Sequence, residues 1–384
     1  MEALKRMMRL PASLSSLVIL ISATAPLAAA AEPSLTEDSN CGCFLTNGNE
    51  SSYFANHRFF DFRSLSEYAG VPPTIRDADS SPGADKTSAF FERQEWTDFW
   101  MLSNWDNRHN LREDASVLMV NSPNNVYIEA NNEPNPASQT WLTLRTQRLA
   151  EFQTAAEIES ASAEYKHLSV RMRARTVGAR GAITAMFTYR RGDTLADVQE
   201  ADLEIRTADP RNLIHYTNQP AYTDAGDVVV HATRNVSIPG GRDWTEWATH
   251  RMDWTPGKTT WYIDDVLVAQ IDFQAPRDES NIILNAWSDG GKWTGNMSVN
   301  DAAYLQVQWI EVVFNNTAEE GQERTQGLCG RVCSIDETPE LGRPVMLWNN
   351  GPAMNAAGRW AAWMPIGVVG VVGVVSLFLA GLLG

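Results

Sequence analysis

Three carboxylates stand at strict alternation in Glu200-Ala201-Asp202-Leu203-Glu204-Ile205. On a β-strand side chains alternate faces with a period of two. Ala201, Leu203 and Ile205 then turn toward a core, while Glu200, Asp202 and Glu204 share the opposite surface. Like charges side by side cost stability and push at least one carboxyl's pKa upward. An acid and a base held together is what acid–base cleavage of a glycosidic bond requires. A solvated strand face would show the same alternation, so the surrounding elements must decide between the two.

Those elements are predicted to be strands. Leu168, Val170 and Met172 alternate with Ser169, Arg171 and Arg173; Trp261 and Ile263 flank Tyr262; Leu305, Val307 and Trp309 alternate with Gln306 and Gln308. Val266 to Ile271 follows Asp264-Asp265, which fits a hairpin turn. Residues 148–165 are rich in Ala, Glu and Gln and have helical propensity, but their Ser and Thr content and flanking strands favour a sheet. No internal repeat or long linker interrupts the region. The sequence predicts one all-β domain over residues 32–318, a two-sheet antiparallel sandwich.

Both ends suggest export. Lys5, Arg6 and Arg9 precede an apolar run and a small-residue cleavage region at Ala29 to Ala31, which predicts a signal peptide over residues 1–31. After Thr317, Glu, Gln, Gly and Pro predominate, predicting a cysteine-containing extension and stalk over 319–358. Residues 359–384 form an apolar tail without a following charge, preceded by Asn355-Ala356-Ala357. A glycosylphosphatidylinositol signal is expected there, with a single-pass membrane helix as the alternative. The protein is therefore expected at the cell surface or wall.

The formal net charge of −16 argues against nucleic acid as a partner, since phosphate binding needs a basic face. Fourteen Trp supply flat surfaces on which sugars stack. Cys41, Cys43, Cys329 and Cys333 flank the domain and are expected to clasp its two ends by disulfides, with the connectivity open. Their spacing is not that of a zinc site. Asn49, Asn235, Asn296 and Asn315 begin N-glycosylation sequons. No cofactor is expected, the six His show no metal-ligand spacing, and the chain is expected to be a monomer.

Several segments besides the acids resemble glycoside hydrolase family 16, in its fungal secreted and cell-wall form. Glu200, Asp202 and Glu204 fit the family's unbulged Glu-x-Asp-x-Glu signature; Asp253-Trp254-Thr255-Pro256-Gly257 with Thr260-Trp261-Tyr262-Ile263-Asp264 resembles its later hairpin. Ile214-His215-Tyr216-Thr217-Asn218 and Leu284-Asn285-Ala286-Trp287-Ser288-Asp289-Gly290-Gly291-Lys292-Trp293-Thr294-Gly295 resemble two further family stretches. The likeness covers residues 140–315 well and the preceding part more loosely. Ala201 departs from the Ile or Val common at its position, which predicts a repacked core. Asp265 replaces the usual Gly of the hairpin, and the Trp-Pro-Ala-type stretch of many bacterial members is absent.

The resemblance implies a concanavalin A-like jelly roll with a glycan cleft, acting on β-glucan with retained configuration. Glu200 would be the nucleophile and Glu204 the acid/base, with Asp202 tuning both. Trp287 and Trp293 would stack on sugar rings and Asn218 would bind a hydroxyl. Some relatives hold a structural calcium. On a straight strand the Cα atoms of Glu200 and Glu204 lie about 13 Å apart at roughly 3.3 Å per residue. A retaining pair needs carboxyls about 5 to 5.5 Å apart, so each side chain must lean inward by roughly 4 Å, which Glu can do and Asp cannot. A transglycosylase remodelling wall glucan or chitin, and a non-catalytic lectin-like wall protein of the same fold, are the alternatives.

Overall fold

The computed structural model describes residues 34–349, apart from 49–50, 110, 224, 320–328 and 337. The expected signal peptide, the apolar tail and the Asn49 sequon lie outside the described residues.

Two antiparallel sheets face each other, as the alternating patterns predict. One runs, in spatial order, Thr233–Ser237, Leu213–Gln219, Gln199–Arg206, Ile183–Arg190, Asn281–Trp287 and Phe152–Ser160. The other runs Thr140–Arg148, Ala302–Asn316, Tyr165–Gly178, Ala248–Thr255, Lys258–Ile263 and Val266–Ile271. Gln147 and Arg148 pair with Thr154 and Gln153, so hydrogen bonding passes from one sheet into the other. The inner faces share one core. Ile158, Leu203, Ile205 and Leu284 meet Val170, Met172, Met252, Trp254 and Trp261 there, which is the jelly-roll sandwich expected from the sequence.

Local chemistry explains the less obvious elements. Phe152–Ser160 is a strand despite its helical propensity. Ala156 and Ile158 are fully buried in the core while Glu157 and Glu159 face the other way, and pairing along both edges outweighs the weak intrinsic preference. Asp264 and Asp265 both take positive φ, 45° and 65°, as a two-residue hairpin turn demands. The Asp264 carboxylate holds the turn by accepting from the Thr249 N–H at 2.8 Å and from Arg242.

A third, small sheet joins the two ends of the described chain: Ser34–Leu35, Val345–Asn349, Arg331–Ser334, Cys43–Leu45 and Tyr53–Phe54. Disulfides Cys41–Cys333 and Cys43–Cys329 tie it together. The cysteine-containing extension and stalk expected over 319–358 contributes two of these strands, Arg331–Ser334 and Val345–Asn349. Val332, Cys333, Ile335 and Val345 are buried, and the polar composition around them concealed two strands.

The small sheet covers the outer face of the second large sheet. Phe44, Phe54 and Ile335 pack there against Val313. Beneath it, Asp336 pairs with Arg171 at 2.5 Å and Arg251 at 3.4 Å, and Arg251 grips Asp253 with two hydrogen bonds at 2.7 and 2.8 Å. His57 bridges Asp38 at 2.8 Å and buried Glu311 at 3.1 Å. Charges removed from water in this way hold only when each has its partner.

Candidate functional site

The three acids sit in the middle of the first sheet, on its outer face. Antiparallel partners share a face, so the register sets them in rows. Glu204 aligns with Ala185, Asn285 and Glu157; Asp202 with Phe187, Ile283 and Glu159; Glu200 with Tyr189. With Trp105, Met119, Asn121 and Trp287, these side chains line a cleft of about 370 Å³. The alternation read from the sequence thus places all three carboxylates in one concavity.

Glu200 and Glu204 are half-buried and Asp202 is buried. Glu200 and Asp202 are hydrogen-bonded to one another, and Gln219 Nε2 donates to Asp202 Oδ2 at 3.2 Å. On the far side of Asp202, Trp293 Nε1 donates to Glu204 Oε1 at 3.2 Å. Burial pushes all three carboxyls upward. Glu200 reaches about 7, with the charge of Glu204 adding to burial and the Asp202 hydrogen bond opposing it. Asp202 lies well above the usual aspartate range, through burial and then the charges of Glu200 and Glu204. Glu204 rises by burial, against the Trp293 hydrogen bond and the positive charge of Arg206 and Arg112.

The loop after Asn281–Trp287 explains how Trp293 reaches Glu204. Buried Asp289 is its post: Arg112 Nη2 pairs with Asp289 Oδ2 at 2.8 Å, and Gly291 N–H and Thr294 Oγ1 donate to Oδ1 at 2.9 and 3.0 Å. Gly290 turns with φ 71°, and a Cβ there would stand 2.1 Å from Ser116 Oγ, so only glycine fits.

The sugar-binding candidates divide. Trp287 lines the cleft, with the Arg112 guanidinium 5.6 Å from its ring centroid. Trp293 is half-buried and stands outside the residues that line the cleft. Arg206 lies 4.2 Å from its centroid and the His215 ring meets it at 5.2 Å, so its contact with the acids is through the indole N–H. Asn218 is a correction. It pairs with Ala201 in register, shares that residue's inward face, is 0 % exposed, and donates through Nδ2 to Phe273 O at 3.0 Å. It cannot reach a hydroxyl in the cleft. His215, by contrast, faces the cleft side beside Glu204, held by Asp209 Oδ2 at 2.6 Å and Asn235 Oδ1 at 2.8 Å.

Trp105, Glu157 and Glu159 escaped the sequence reading. The Ala155-Ala156-Glu157-Ile158-Glu159 alternation was a usable signal for the two acids, masked by helical propensity. Of the described sequons, Asn235 and Asn296 are exposed and Asn315 is half-buried, accepting from the Ala55 N–H at 3.0 Å. Among the described residues no group of three or more His, Cys, Asp or Glu is arranged to hold a metal ion.

The β-glucanase of Paenibacillus polymyxa is 24% identical over 139 residues, 35% of this chain and 54% of that protein. The β-glucanase of Paenibacillus macerans is 29% identical over 69 residues, 17% of this chain and 29% of that protein. The chain thus spans about half, or less, of the length of these curated relatives. Among solved structures, the endo-β-1,3-glucanase of Pyrococcus furiosus is similar with a TM-score of 0.46 and 17% identity, over 71% of this chain and 98% of that one. The model of glycosyl hydrolases family 16 matches residues 114–311, just over half of the sequence and the whole of the acidic strand, and the chain belongs to that family.

Proposed function

We propose that this protein is a retaining glycoside hydrolase that cleaves β-1,3- or mixed-linkage β-glucan by double displacement, with Glu200 as nucleophile and Glu204 as acid/base. The observation that carries the proposal is the row of three carboxylates on one cleft floor, each held by a different partner.

In the first step the Glu200 carboxylate attacks the anomeric carbon, and the carbon–oxygen bond to the leaving sugar breaks as Glu204 gives that oxygen its proton. A glycosyl ester on Glu200 and an ionised Glu204 result. In the second step Glu204 takes a proton from water, the water oxygen replaces Glu200 at the anomeric carbon, and both carboxyls return to their starting states. Two inversions leave the configuration retained.

The surroundings support this division of roles. Asp202 is the carboxyl with the strongest combined reasons to hold a proton, being buried between two acids. When protonated it donates to Glu200 and favours the anion that attacks. Around Glu204 the guanidinium groups of Arg206 and Arg112 oppose protonation, yet burial outweighs them and the net shift is upward. The Trp293 N–H fixes the orientation of the acid. Asp202 therefore acts on Glu200 by hydrogen bonding more than on Glu204 by repulsion.

The two disulfides support an oxidising, extracytoplasmic setting. With the apolar termini of the sequence, they support a protein tethered at the cell surface by a lipid anchor, testable by release from intact cells with a phosphatidylinositol-specific phospholipase. The catalytic proposal is tested with Glu200→Gln on soluble β-1,3- and mixed-linkage glucans, reading new reducing ends and the anomer first formed. Turnover is expected to fall by at least about 10³-fold with the fold unchanged. Unchanged activity, or an inverted first product, would overturn it.

A further inference from the structure

Gln219 closes its strand beside the acids and touches both the acidic row and the turn that follows. In register it stands opposite Glu200, half-buried. Its amide reaches diagonally past that partner: Nε2 donates to Asp202 Oδ2 at 3.2 Å, and Oε1 accepts from the Ala221 N–H at 2.8 Å. A backbone N–H can only donate, so the end of the amide that meets it is the oxygen and the end turned to Asp202 is the NH2. Pro220 has no N–H, which leaves Ala221 as the first donor of the turn. Ala221 is held in place in its turn. Its carbonyl accepts from the Val229 N–H at 2.8 Å, and Tyr222 pairs with Val228 just beyond. The fold of the chain thus decides which way this amide faces.

A protonated carboxyl has one oxygen that donates and one that accepts, and a neighbouring donor decides which is which. With the Gln219 NH2 on Oδ2, the proton of Asp202 belongs on Oδ1. We propose that Gln219 is a positioning residue for the reaction, its locked amide placing the Asp202 proton on Oδ1 so that it serves Glu200 as a hydrogen-bond donor. The titratable groups around Asp202 are Glu200 and Glu204 on its own strand with Arg206 beyond them, Tyr189, Glu157 and Glu159 on one side, and His215 on the other. Of these, Glu200 is hydrogen-bonded to Asp202. The Gln219 NH2 also tempers the site, because donation to a carboxyl favours its anion against burial and the charges of Glu200 and Glu204.

An amide turned the other way would present Oε1 to Asp202, draw the proton to Oδ2 and leave Glu200 without that donor. The Asp202 hydrogen bond holds the Glu200 pKa down, so its loss raises the pKa and a smaller fraction of Glu200 is ionised at any given pH. The acidic limb of kcat/KM, which follows ionisation of the nucleophile, then moves to higher pH. This inference rests on the proposed roles of Glu200 and Asp202, and its test separates it from them.

The experiment measures the pH profile of kcat/KM on soluble β-glucan for wild type, Ala221→Pro, Gln219→Glu and Gln219→Met. Ala221→Pro removes the locking N–H without adding charge, and its acidic limb should rise by about 1 pH unit, a large part of one charge-assisted hydrogen bond. Gln219→Glu offers Asp202 an acceptor and should raise the limb by about 1–2 units. Gln219→Met offers no competing acceptor; it should lose no more than about tenfold in rate, with the limb in place. A limb that moves in Gln219→Glu alone reports added charge and overturns the proposal, as does one that moves equally in all three variants or in none. Neutron diffraction from deuterium-exchanged wild-type crystals near pH 7 reads the same point without substrate or substitution, and decides it if Ala221→Pro does not fold. A deuteron on the Asp202 oxygen away from Gln219 supports the placement, and one on Oδ2, or none on Asp202, overturns it. If wild type cleaves no glucan, the glucanase proposal fails and the neutron structure decides the placement alone.

Discussion

Replacing Asp336 by Ala removes the anion on which the small sheet is anchored. Its side chain is 2% exposed and pairs with Arg171 at 2.5 Å and Arg251 at 3.4 Å, while its second oxygen accepts from the Asn47 N–H at 2.7 Å. Breaking a buried ion pair from one side costs about 3–5 kcal/mol, because the remaining charge is left without compensation. Arg251 retains its two hydrogen bonds to Asp253, so the loss falls on Arg171, which keeps a 3.5 Å contact with Ser169 Oγ. The lower end, about 3 kcal/mol, is therefore expected, or a fall in melting temperature of about 6–10 °C for a domain of this size. The pH dependence has a definite sign. Burial would raise the Asp336 pKa, but Arg171 and Arg251 outweigh it and hold it below its usual 3.8. The stabilisation is thus complete above about pH 4 and is lost as pH falls through the folded-state value. Differential scanning calorimetry of wild type and Asp336→Ala from pH 7 downward should show a constant gap that closes below pH 4. A gap under about 2 °C at pH 7, or one that widens in acid, would refute the reasoning. Asp336 lies on the sheet opposite the cleft, so kcat/KM should not change.

Further expectations concern other parts of the clasp and the site. His57 is disfavoured as a cation by burial, but Asp38 and Glu311 outweigh this and raise its pKa above 6.5; its stabilisation is full below that pH and lost as pH rises through the folded-state value. The melting-temperature gap between wild type and His57→Gln should therefore be widest near pH 5–6 and shrink toward pH 9. The two disulfides close nested loops of nearly equal length, with sequence separations of 292 and 286. Opening one should cost little while the other remains, and opening both about 2–5 kcal/mol by denaturant titration; equal, additive costs would count against loop closure. Trp293→Phe removes a hydrogen bond that favours ionised Glu204, so the alkaline limb of the kcat/KM profile should move to higher pH.

The acidic strand was legible because period-two alternation survives any tertiary context that buries one face of a sheet. The same logic applied to Glu157 and Glu159, but there it competed with the helical propensity of Ala, Glu and Gln and went unread. Asn218 shows the complementary failure. Its motif was visible, but which face it occupies depends on its register with Ala201, and a one-residue slip would have reversed the answer. Trp105 carries no motif, and only the folding of its segment across the strand end at Ser160 and Ile158 brings it to the cleft. Ala201, fully buried against the core, was readable as a smaller core residue without knowing what fills the space.

The small sheet also fixes a direction. It lies against one large sheet and the cleft opens on the other, so the strand ending at Asn349 stands on the side remote from the acids. A contact made on the small sheet itself would leave the cleft facing away from the surface of contact, free to engage a polymer too large to pass beneath the protein.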